Sequence, residues 1–473
     1  MTAAVSDAAP GEVLFPDAAF LVLSSRLIPD LDGGYTIATA ARARQMAARG
    51  ADVQVLTVDP ADAAAHAAHR AEFDRRGMLP ASIPLRNLFD EASAPDGGAA
   101  EWLRAAARRV HGIPSTGRDA MHSAADADDH RELRDAAGRP FAALPVIQGD
   151  PDWHRTTAAV RVYDEHGDVI GTMPGFGGLY RAWLDHLVEE TAKPVVVICE
   201  SRQLGELIAG WTHPRVRIVH AIHTMHLEAP YTPDAPLNPL WTRWFALAPR
   251  FDAVIWPTAA QRDDVVTRFS SDAAHLVAPH GIPLPPVDDS RREPGLVVSV
   301  SRLAPGKRID HLIRAFLAAD VPGARLEIWG DGPSAASLAE LIENLGAGDR
   351  VQLMGSTDDP AAVLRRAVLM VTATAFEGQG LSIVEALAAG CPVISYDVRY
   401  GPGDALGRGG GILVPSGDEP ALASAIHEVL TDAALRDRLA AEAPAAASAW
   451  SGDAAMAALA AAVRTALTGP ARR

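Results

Sequence analysis

Two carboxylates that could hold the hydroxyl groups of a ligand lie on either side of a glycine-rich turn. The segment is Phe376-Glu377-Gly378-Gln379-Gly380-Leu381-Ser382-Ile383-Val384-Glu385, after an apolar, β-branched run at 367–374 and with helical spacing of apolar residues over 381–389. This pattern predicts a buried parallel strand, a loop and a helix. Free N–H groups and the positive end of the dipole meet at the start of such a helix, which suits a pyrophosphate. Glu385 is then placed to bind a ribose, and Glu377 to contact a sugar.

Two cations follow a second predicted strand, at 296–301. Arg302 and Lys307 lie between that strand and a helical pattern over 309–318. A guanidinium and an ammonium group at the carboxyl end of a strand are suited to stabilise a leaving diphosphate without a metal ion. Taken singly, each would be interpreted as a solvated loop charge. Together with the two glutamates, the pair favours a nucleotide-sugar site.

These motifs resemble the donor site of a known family. With the turn Trp329-Gly330-Asp331-Gly332-Pro333, they are similar to retaining glycosyltransferases of family 4, most clearly over 294–450. The resemblance implies an α/β protein with the GT-B fold, in which two Rossmann-like domains face a cleft. It also implies the individual roles: Arg302 and Lys307 at the diphosphate, Glu385 at the ribose, Glu377 at the sugar hydroxyls, and a phosphate cradle from the loop backbone at Gly378, Gln379, Gly380 and Leu381.

A second stretch narrows the resemblance. Ser395-Tyr396-Asp397-Val398-Arg399-Tyr400-Gly401-Pro402-Gly403-Asp404 is similar to a motif of the subgroup that contains the poly(glycerol/ribitol-phosphate) α-glycosyltransferases of wall teichoic acid and the enzymes that glycosylate serine-rich adhesins. The resemblance implies a polyol-phosphate polymer or a serine-rich protein as acceptor. It does not identify the sugar or the nucleotide.

The first half of the chain opens with a βαβ pattern. Predicted strands at 20–24 and 53–58 enclose a loop with Gly33-Gly34 and a helix that ends near residue 49. Such a loop resembles the GT-B loop that approaches the donor sugar, where the absence of a Cβ permits close backbone contact. A tight turn without a ligand is the alternative interpretation.

An insertion interrupts this pattern. The Ala-rich, charged residues 60–140 are predicted to be helical, and strands are expected at 140–148, 158–164 and 169–173, the last two joined by a hairpin turn. A β-rich insertion at about 138–176 resembles the one carried by the teichoic-acid and adhesin subgroup. There it implies acceptor binding or homo-oligomer contact.

Three histidines end the predicted strand at 217–223. A loop after a strand rarely gives zinc-ligand geometry, and no acidic partner follows at ligand spacing, so His220, His223 and His226 are not expected to bind a metal. Asp126-Ala127-Asp128 has the DxD spacing of metal-dependent transferases but lies in a charged run that favours a solvated face. By resemblance, His220 or His223 lies near the donor sugar, and the sequence leaves both open.

Composition excludes several classes of protein. The 473 residues, 48% hydrophobic and 22% charged, are sufficient for two globular domains, and a net charge of −16 argues against nucleic-acid binding. No apolar run is long enough for a membrane span, and no signal-peptide pattern opens the chain. The two cysteines, Cys199 and Cys391, are expected to be reduced. We therefore expect a cytoplasmic protein, with contact at the inner membrane face left open.

The prediction is a retaining, metal-independent hexosyltransferase without a cofactor. It would move a hexose or N-acetylhexosamine from a nucleotide-diphosphate sugar, expected to be UDP-linked, to a cell-envelope acceptor. The predicted divisions are an acceptor-side domain at 1–290, a nucleotide-sugar domain at 291–450, and a helix at 451–473 that crosses back. A serine-rich protein, or another glycan or lipid, is the alternative acceptor. A nucleotide-sugar epimerase and a non-catalytic sugar-binding module are the alternatives from other classes.

Overall fold

The computed structural model describes residues 14–473 except 32, 111–128, 151, 233, 270–271, 285 and 287–291. The strands are β1 Ala19–Ser24, β2 Asp52–Thr57, β3 Leu85–Asn87, β4 His130–Arg134, β5 Pro140–Pro145, β6 Ala159–Tyr163, β7 Val169–Pro174, β8 Val195–Cys199, β9 Val216–Ala221, β10 Ala253–Trp256, β11 His275–Val277, β12 Leu296–Val300, β13 Arg325–Trp329, β14 Val351–Gly355, β15 Leu369–Thr372, β16 Val393–Asp397 and β17 Gly411–Pro415. The helices are α1 Gly34–Ala47, α2 Ala63–Arg75, α3 Leu88–Ala92, α4 Glu101–Val110, α5 Gly175–Glu189, α6 Arg202–Ile208, α7 Pro239–Leu247, α8 Ala259–Phe269, α9 Ile309–Ala319, α10 Ala335–Asn344, α11 Pro360–Arg366, α12 Leu381–Ala388, α13 Gly401–Leu406, α14 Glu419–Thr431, α15 Ala433–Ala447 and α16 Gly452–Thr468.

Two parallel sheets form the framework of the described residues. The N-terminal sheet has seven strands in the order β11-β10-β9-β8-β1-β2-β3, and the C-terminal sheet has six in the order β14-β13-β12-β15-β16-β17. Central strands such as β1, β8 and β15 are buried along their whole length, because helices cover both faces of each sheet. Continuous apolar runs are typical of such strands, which is why the sequence predicts them.

Each sheet reverses its strand order at one point. In the N-terminal sheet the reversal lies between β1 and β8, and in the C-terminal sheet it lies between β12 and β15. Ligands of open α/β sheets bind in the crevice at the carboxyl ends of the strands on either side of such a reversal. The chain after β12 contains Arg302, and the chain after β15 contains Glu377.

A four-stranded antiparallel sheet, β4-β5-β6-β7, forms the insertion. Strands β3 and β4 both lie within the segment that was predicted to be helical, so that prediction is wrong for Leu85–Asn87 and for His130–Arg134. The reason is that β4 is an edge strand, in which Leu133 is the one buried residue and the charged side chains face solvent. Such a strand lacks the apolar alternation that would distinguish it from a charged helix. The segment Asp126-Ala127-Asp128 lies outside the described residues.

Helix α16 packs on the N-terminal sheet, although it follows the C-terminal domain in the chain. Its apolar face, which includes Met456, Leu459 and Val463, joins one buried cluster with residues of β1, β2, β9 and β10. The end of the chain is held to the same sheet, where Arg473 Nη1 lies 2.8 Å from Asp252 Oδ2. The C-terminal segment therefore ties the two halves together.

We expect Leu459→Ala to lower the free energy of unfolding by about 2 to 5 kcal/mol, because a fully buried leucine would leave a cavity between α16 and the sheet. Thr465→Ala on the exposed face of the same helix should change it by less than about 0.5 kcal/mol. Urea denaturation of both variants measures the difference. Equal loss in the two variants would contradict the packing of α16.

Candidate functional site

The predicted donor loop lies at the carboxyl edge of the C-terminal sheet. Its backbone is fixed on two sides, because Ala375 N donates to Gly306 O at 2.8 Å and Glu377 N donates to Arg399 O at 2.9 Å. Lys307, on a single 3₁₀ turn after β12, reaches across to this loop, and its Nζ lies 2.5 Å from Glu377 Oε1. Two of the predicted site residues are thus in direct contact.

Arg302 lies beside this pair on the loop that follows β12. Its side chain is exposed and makes no ion pair or hydrogen bond with the residues that the structure describes. The turn Trp329-Gly330-Asp331-Gly332-Pro333 supports the loop, since Leu303 N donates to Asp331 O at 2.8 Å. The loop backbone is thus supported, and the exposed guanidinium group of Arg302 is available to an anion.

Glu385 lies one turn into α12, with its side chain mostly enclosed. Burial raises the pKa of this carboxyl from its ordinary value to about 7, and no described residue contributes a compensating charge or hydrogen bond. A carboxyl group with such a pKa is a candidate for binding a ligand. Hydroxyl groups that donate to it would favour its ionised form.

Glycines allow the donor loop to meet the N-terminal domain. Gly380, the residue before α12, has φ +76°, which a side chain would strain, and its own position provides no side-chain cap for the helix, which begins at Leu381. A Cβ at Gly378 would lie 2.8 Å from the carbonyl oxygen of His223. The carboxyl edges of the two sheets therefore meet at this point.

Gln379 has a further role that the sequence does not indicate. Its Nε2 donates to His280 O at 2.9 Å, and its Oε1 accepts from His280 N at 2.7 Å. The buried amide thus binds the backbone of the other domain on both sides. The sequence predicted that the backbone of Gln379 contacts phosphate. No pattern in the neighbouring sequence predicts that its side chain binds His280.

The structure distinguishes the two candidate histidines. His220 is fully buried between Trp244 and Phe251, and burial lowers its pKa to about 3. His223 lies two residues beyond the end of β9, retains 12% exposure of its side chain and lines a cavity. Both histidines line this cavity, but His220 is enclosed by core rings, whereas His223 keeps part of its side chain exposed.

Two residues that the sequence analysis missed hold His223. Its Nε2 lies 2.5 Å from Glu200 Oε2, and Arg42 Nε lies 2.9 Å from Glu200 Oε1. Burial would raise the pKa of Glu200, but Arg42 and His223 together hold it below its ordinary value. Glu200 ends a predicted strand beside the reversal of strand order, which is the one signal that could have singled it out. Arg42 has no comparable signal.

Gly33 and Gly34 begin α1 after the carboxyl end of β1. Gly33 has φ +49°, and no described atom lies within 4 Å of a Cβ built at either glycine. Tyr35 follows, and its hydroxyl lies 2.7 Å from Ser24 Oγ. Its ring contacts the ring of His223 edge-on at 4.9 Å. The glycine loop therefore lies on the same side of the molecule as His223.

A cavity of about 860 Å³ extends from His223 to the insertion. Aromatic side chains of Trp153, Phe176 and Tyr180 line one part of it, and Trp153 is 43% exposed. Three arginines also line it: Arg26, Arg131 and Arg202. Arg202 is paired with Glu206, whereas the exposed side chain of Arg131 makes no ion pair or hydrogen bond with the described residues.

The stretch at 395–404 contacts the N-terminal domain. Tyr400 donates its hydroxyl to Asp264 Oδ2 at 2.6 Å, and Asp404 Oδ2 accepts from Ala259 N at 2.9 Å at the start of α8. His226, the third histidine, is buried and stacks on the ring of Tyr400 at 5.8 Å.

Within the described ranges, no cluster of three or more His, Cys, Asp or Glu side chains could hold a metal ion.

The chain is similar in sequence to known proteins. Residues 285–446 match the family of glycosyl transferases group 1. The predicted glycosyltransferase resemblance is confirmed. The chain is 36% identical over 194 residues to the exopolysaccharide phosphotransferase SCO2592 of Streptomyces coelicolor, a match over 40% of this chain and 20% of that protein. It is 29% identical over 256 residues to the poly(glycerol-phosphate) alpha-glucosyltransferase of Bacillus subtilis, over 53% of this chain and 36% of that protein.

A solved structure extends the likeness to nearly the whole chain. The pneumococcal O-GlcNAc transferase GtfA, in complex with UDP and GlcNAc, superimposes with a TM-score of 0.72 and 18% identity, over 96% of this chain and 100% of that chain. The predicted GT-B fold is confirmed. The chain spans well under half the length of the two curated relatives named above. None of the helices in the described ranges is long and apolar enough to cross a membrane.

The pKa of Glu385 predicts how pH affects stability. Because the pKa in the folded protein, about 7, exceeds the ordinary value of 4.5, the folded state binds the proton more tightly, and stability falls as pH rises from about 4.5 to about 7. We expect Glu385→Gln to raise the free energy of unfolding at pH 8 by up to about 3 kcal/mol relative to the unmodified chain, and to have little effect at pH 4.5. Denaturant titration at both pH values measures this, with exposed Glu428→Gln as the control. An equal effect at both pH values would show that the carboxyl is not desolvated.

Proposed function

We propose that this chain is a retaining glycosyltransferase that moves a hexose or N-acetylhexosamine from a UDP-sugar to a polyol-phosphate polymer of the cell envelope. The observation that carries the proposal is the group formed by Arg302, the Lys307–Glu377 pair and the start of α12, which lies opposite His223. These residue types match the charges and hydroxyl groups of a nucleotide-diphosphate sugar.

The donor would lie against the C-terminal domain. The diphosphate contacts Arg302, Lys307 and the N–H groups at the start of α12, where the helix dipole also favours negative charge. Glu385 binds the ribose and Glu377 binds hydroxyl groups of the sugar. His223 approaches the sugar from the N-terminal domain. The UDP in the complex of the pneumococcal enzyme, which shares the fold, supports uridine as the base.

Transfer would proceed on one face of the sugar. The acceptor hydroxyl attacks the anomeric carbon from the side that the diphosphate leaves, the bond to the diphosphate breaks, and the leaving phosphate takes the proton. No protein nucleophile or metal ion is then required, because Arg302 and Lys307 compensate the charge that develops on the diphosphate. The configuration at the anomeric carbon is retained.

The acceptor would enter the cavity beside the insertion. Its exposed Trp153 offers an apolar surface to a polyol chain, and Arg131, whose guanidinium has no partner within the part of the chain that the structure describes, offers a positive charge to a phosphodiester. The poly(glycerol-phosphate) alpha-glucosyltransferase relative supports this class of acceptor. A serine-rich protein remains the alternative acceptor, and homo-oligomer contact through the insertion is a further proposal.

A donor and acceptor panel tests the proposal. UDP-glucose, UDP-N-acetylglucosamine and the corresponding nucleotides with other bases are incubated with poly(glycerol phosphate), poly(ribitol phosphate) or a serine-rich peptide, with and without a chelator. We expect a UDP-sugar and a polyol phosphate to give product of retained configuration, with the chelator present. Isomerised donor without transfer would indicate an epimerase, and neither reaction would indicate a binding module.

We expect Lys307→Ala to reduce kcat/KM for transfer by about 100- to 1000-fold, since one preorganised donor to a developing negative charge is worth about 2.7 to 4 kcal/mol. Lys193→Ala is the matched control, because Lys193 is the only other lysine in the sequence and pairs with Asp17 and Asp52 at the surface. Steady-state kinetics with saturating acceptor measure both. Near-normal turnover of Lys307→Ala would overturn the donor site.

We expect Arg131→Ala to raise the KM for polyol phosphate about fivefold or more, at an exposed site where one lost ionic contact is worth about 1 kcal/mol. Hydrolysis of the donor in the absence of acceptor should not change, because Arg131 lies on β4 of the insertion, whereas the proposed donor site lies in the C-terminal domain. Arg161→Ala is the control: Arg161 is exposed on the same small sheet but does not line the cavity. Equal effects of the two variants would mean that the polymer does not use this cavity.

A further inference from the structure

Three elements converge on the imidazole of His223. Glu200 follows β8, His223 follows β9, and Arg42 extends from the middle of α1. Arg42 and Glu200 are both buried, with side chains 3% and 0% exposed. Burying a charged pair costs free energy that its mutual attraction repays only when the geometry is good. A charge pair placed next to a residue of the cleft therefore calls for a functional explanation.

The pair determines which nitrogen of His223 carries the proton. An ionised carboxylate can only accept hydrogen bonds, so Nε2, at 2.5 Å from Glu200 Oε2, must donate. Arg42 and His223 favour the ionised form of Glu200, as its lowered pKa indicates. In a neutral ring, Nδ1 is then the acceptor. It has no hydrogen-bond partner among the described residues, and the side chain lines the cavity.

Neighbouring rings hold the imidazole in place. His280 stacks on it at 4.9 Å with an angle of 23° between the planes, and Tyr35 contacts it edge-on. Burial, together with Arg42 and His223, keeps the pKa of His280 well below its ordinary value, so that ring is neutral. With Nε2 bound to Glu200, these contacts leave Nδ1 as the ring atom available to a ligand.

We propose that Glu200, held by Arg42, is a positioning residue that fixes the Nε2–H tautomer of His223 and so presents Nδ1 as a hydrogen-bond acceptor for a hydroxyl group of the donor sugar. The proposal rests on the proposed function. It assigns to the sugar a contact that neither the donor loop nor the diphosphate-binding cations supply.

Nitrogen-15 NMR of histidine-labelled protein tests the tautomer without any substrate. The unmodified chain should show His223 with a protonated Nε2 and an unprotonated Nδ1, assigned by loss of the signals in His223→Gln. In Glu200→Gln the tautomer should reverse. Arg42 can only donate, so the introduced amide must turn its oxygen to Arg42 and its NH₂ group to Nε2, which then accepts and leaves the proton on Nδ1.

Kinetics test whether the tautomer matters for transfer. Glu200→Gln should lower kcat about 10- to 100-fold, by analogy with the loss seen when the partner that orients a metal-bound histidine is removed. Asp252→Asn is the control, because Asp252 is also a buried carboxylate bound to an arginine, Arg473, but lies at the amino end of β10, away from His223. It should leave the tautomer and kcat unchanged.

Two results would overturn the inference: a protonated Nδ1 in the unmodified chain, or an unchanged kcat in a Glu200→Gln variant whose tautomer has reversed. If Glu200→Gln does not fold, the tautomer in the unmodified chain decides. Failure of the proposed function has a different signature, namely no turnover by the unmodified chain with any donor and acceptor of the panel.

Discussion

The pair of hydrogen bonds between the Gln379 side chain and the His280 backbone fixes the relation between the two domains at the site. Both polar atoms of the amide are satisfied in a buried environment, and leaving either unpaired would cost about 1 to 3 kcal/mol. Through this contact the donor loop is held against the N-terminal domain, so that Gly378 meets the carbonyl of His223. The positions of Glu377 and of the start of α12 follow from the same constraint.

Charge is distributed differently on the two sides of this contact. On the C-terminal side, Arg302 is exposed and has no ion-pair or hydrogen-bond partner for its side chain among the described residues, and Lys307 contacts one carboxylate, an arrangement that can receive an anion. On the N-terminal side, Arg42 and Glu200 neutralise each other out of contact with water. In the function proposed above, Arg302 and Lys307 bind the diphosphate, and Arg42 with Glu200 orients His223. This division fits the proposed transfer, in which negative charge develops on the diphosphate.

The insertion extends the N-terminal domain rather than the donor site. Its Trp153 and Arg131 line one part of a cavity that His223 also lines, so the proposed acceptor would reach the proposed donor site from the N-terminal side. The stretch at 395–404 contacts another part of the N-terminal domain, helix α8. Asp404 binds the start of this helix and Tyr400 binds its middle. The motif that narrowed the resemblance is therefore an interdomain contact.

The sequence by itself determined the two parallel sheets and the loops that follow their strands. Buried parallel strands are continuous apolar runs, and residues that follow neighbouring strands must meet at one edge, so the contact between Lys307 and Glu377 was predictable from local pattern. The edge strand β4 was not, because its charged residues lack alternation. Only the tertiary structure shows that His220 is fully buried while His223 stays partly exposed, and that Glu200 and His280 contact His223 and Arg42 contacts Glu200. Those contacts join segments that are far apart in the chain. The packing of sheets and helices decides which of these side chains meet, and the spacing of residues within one segment carries no information about that packing.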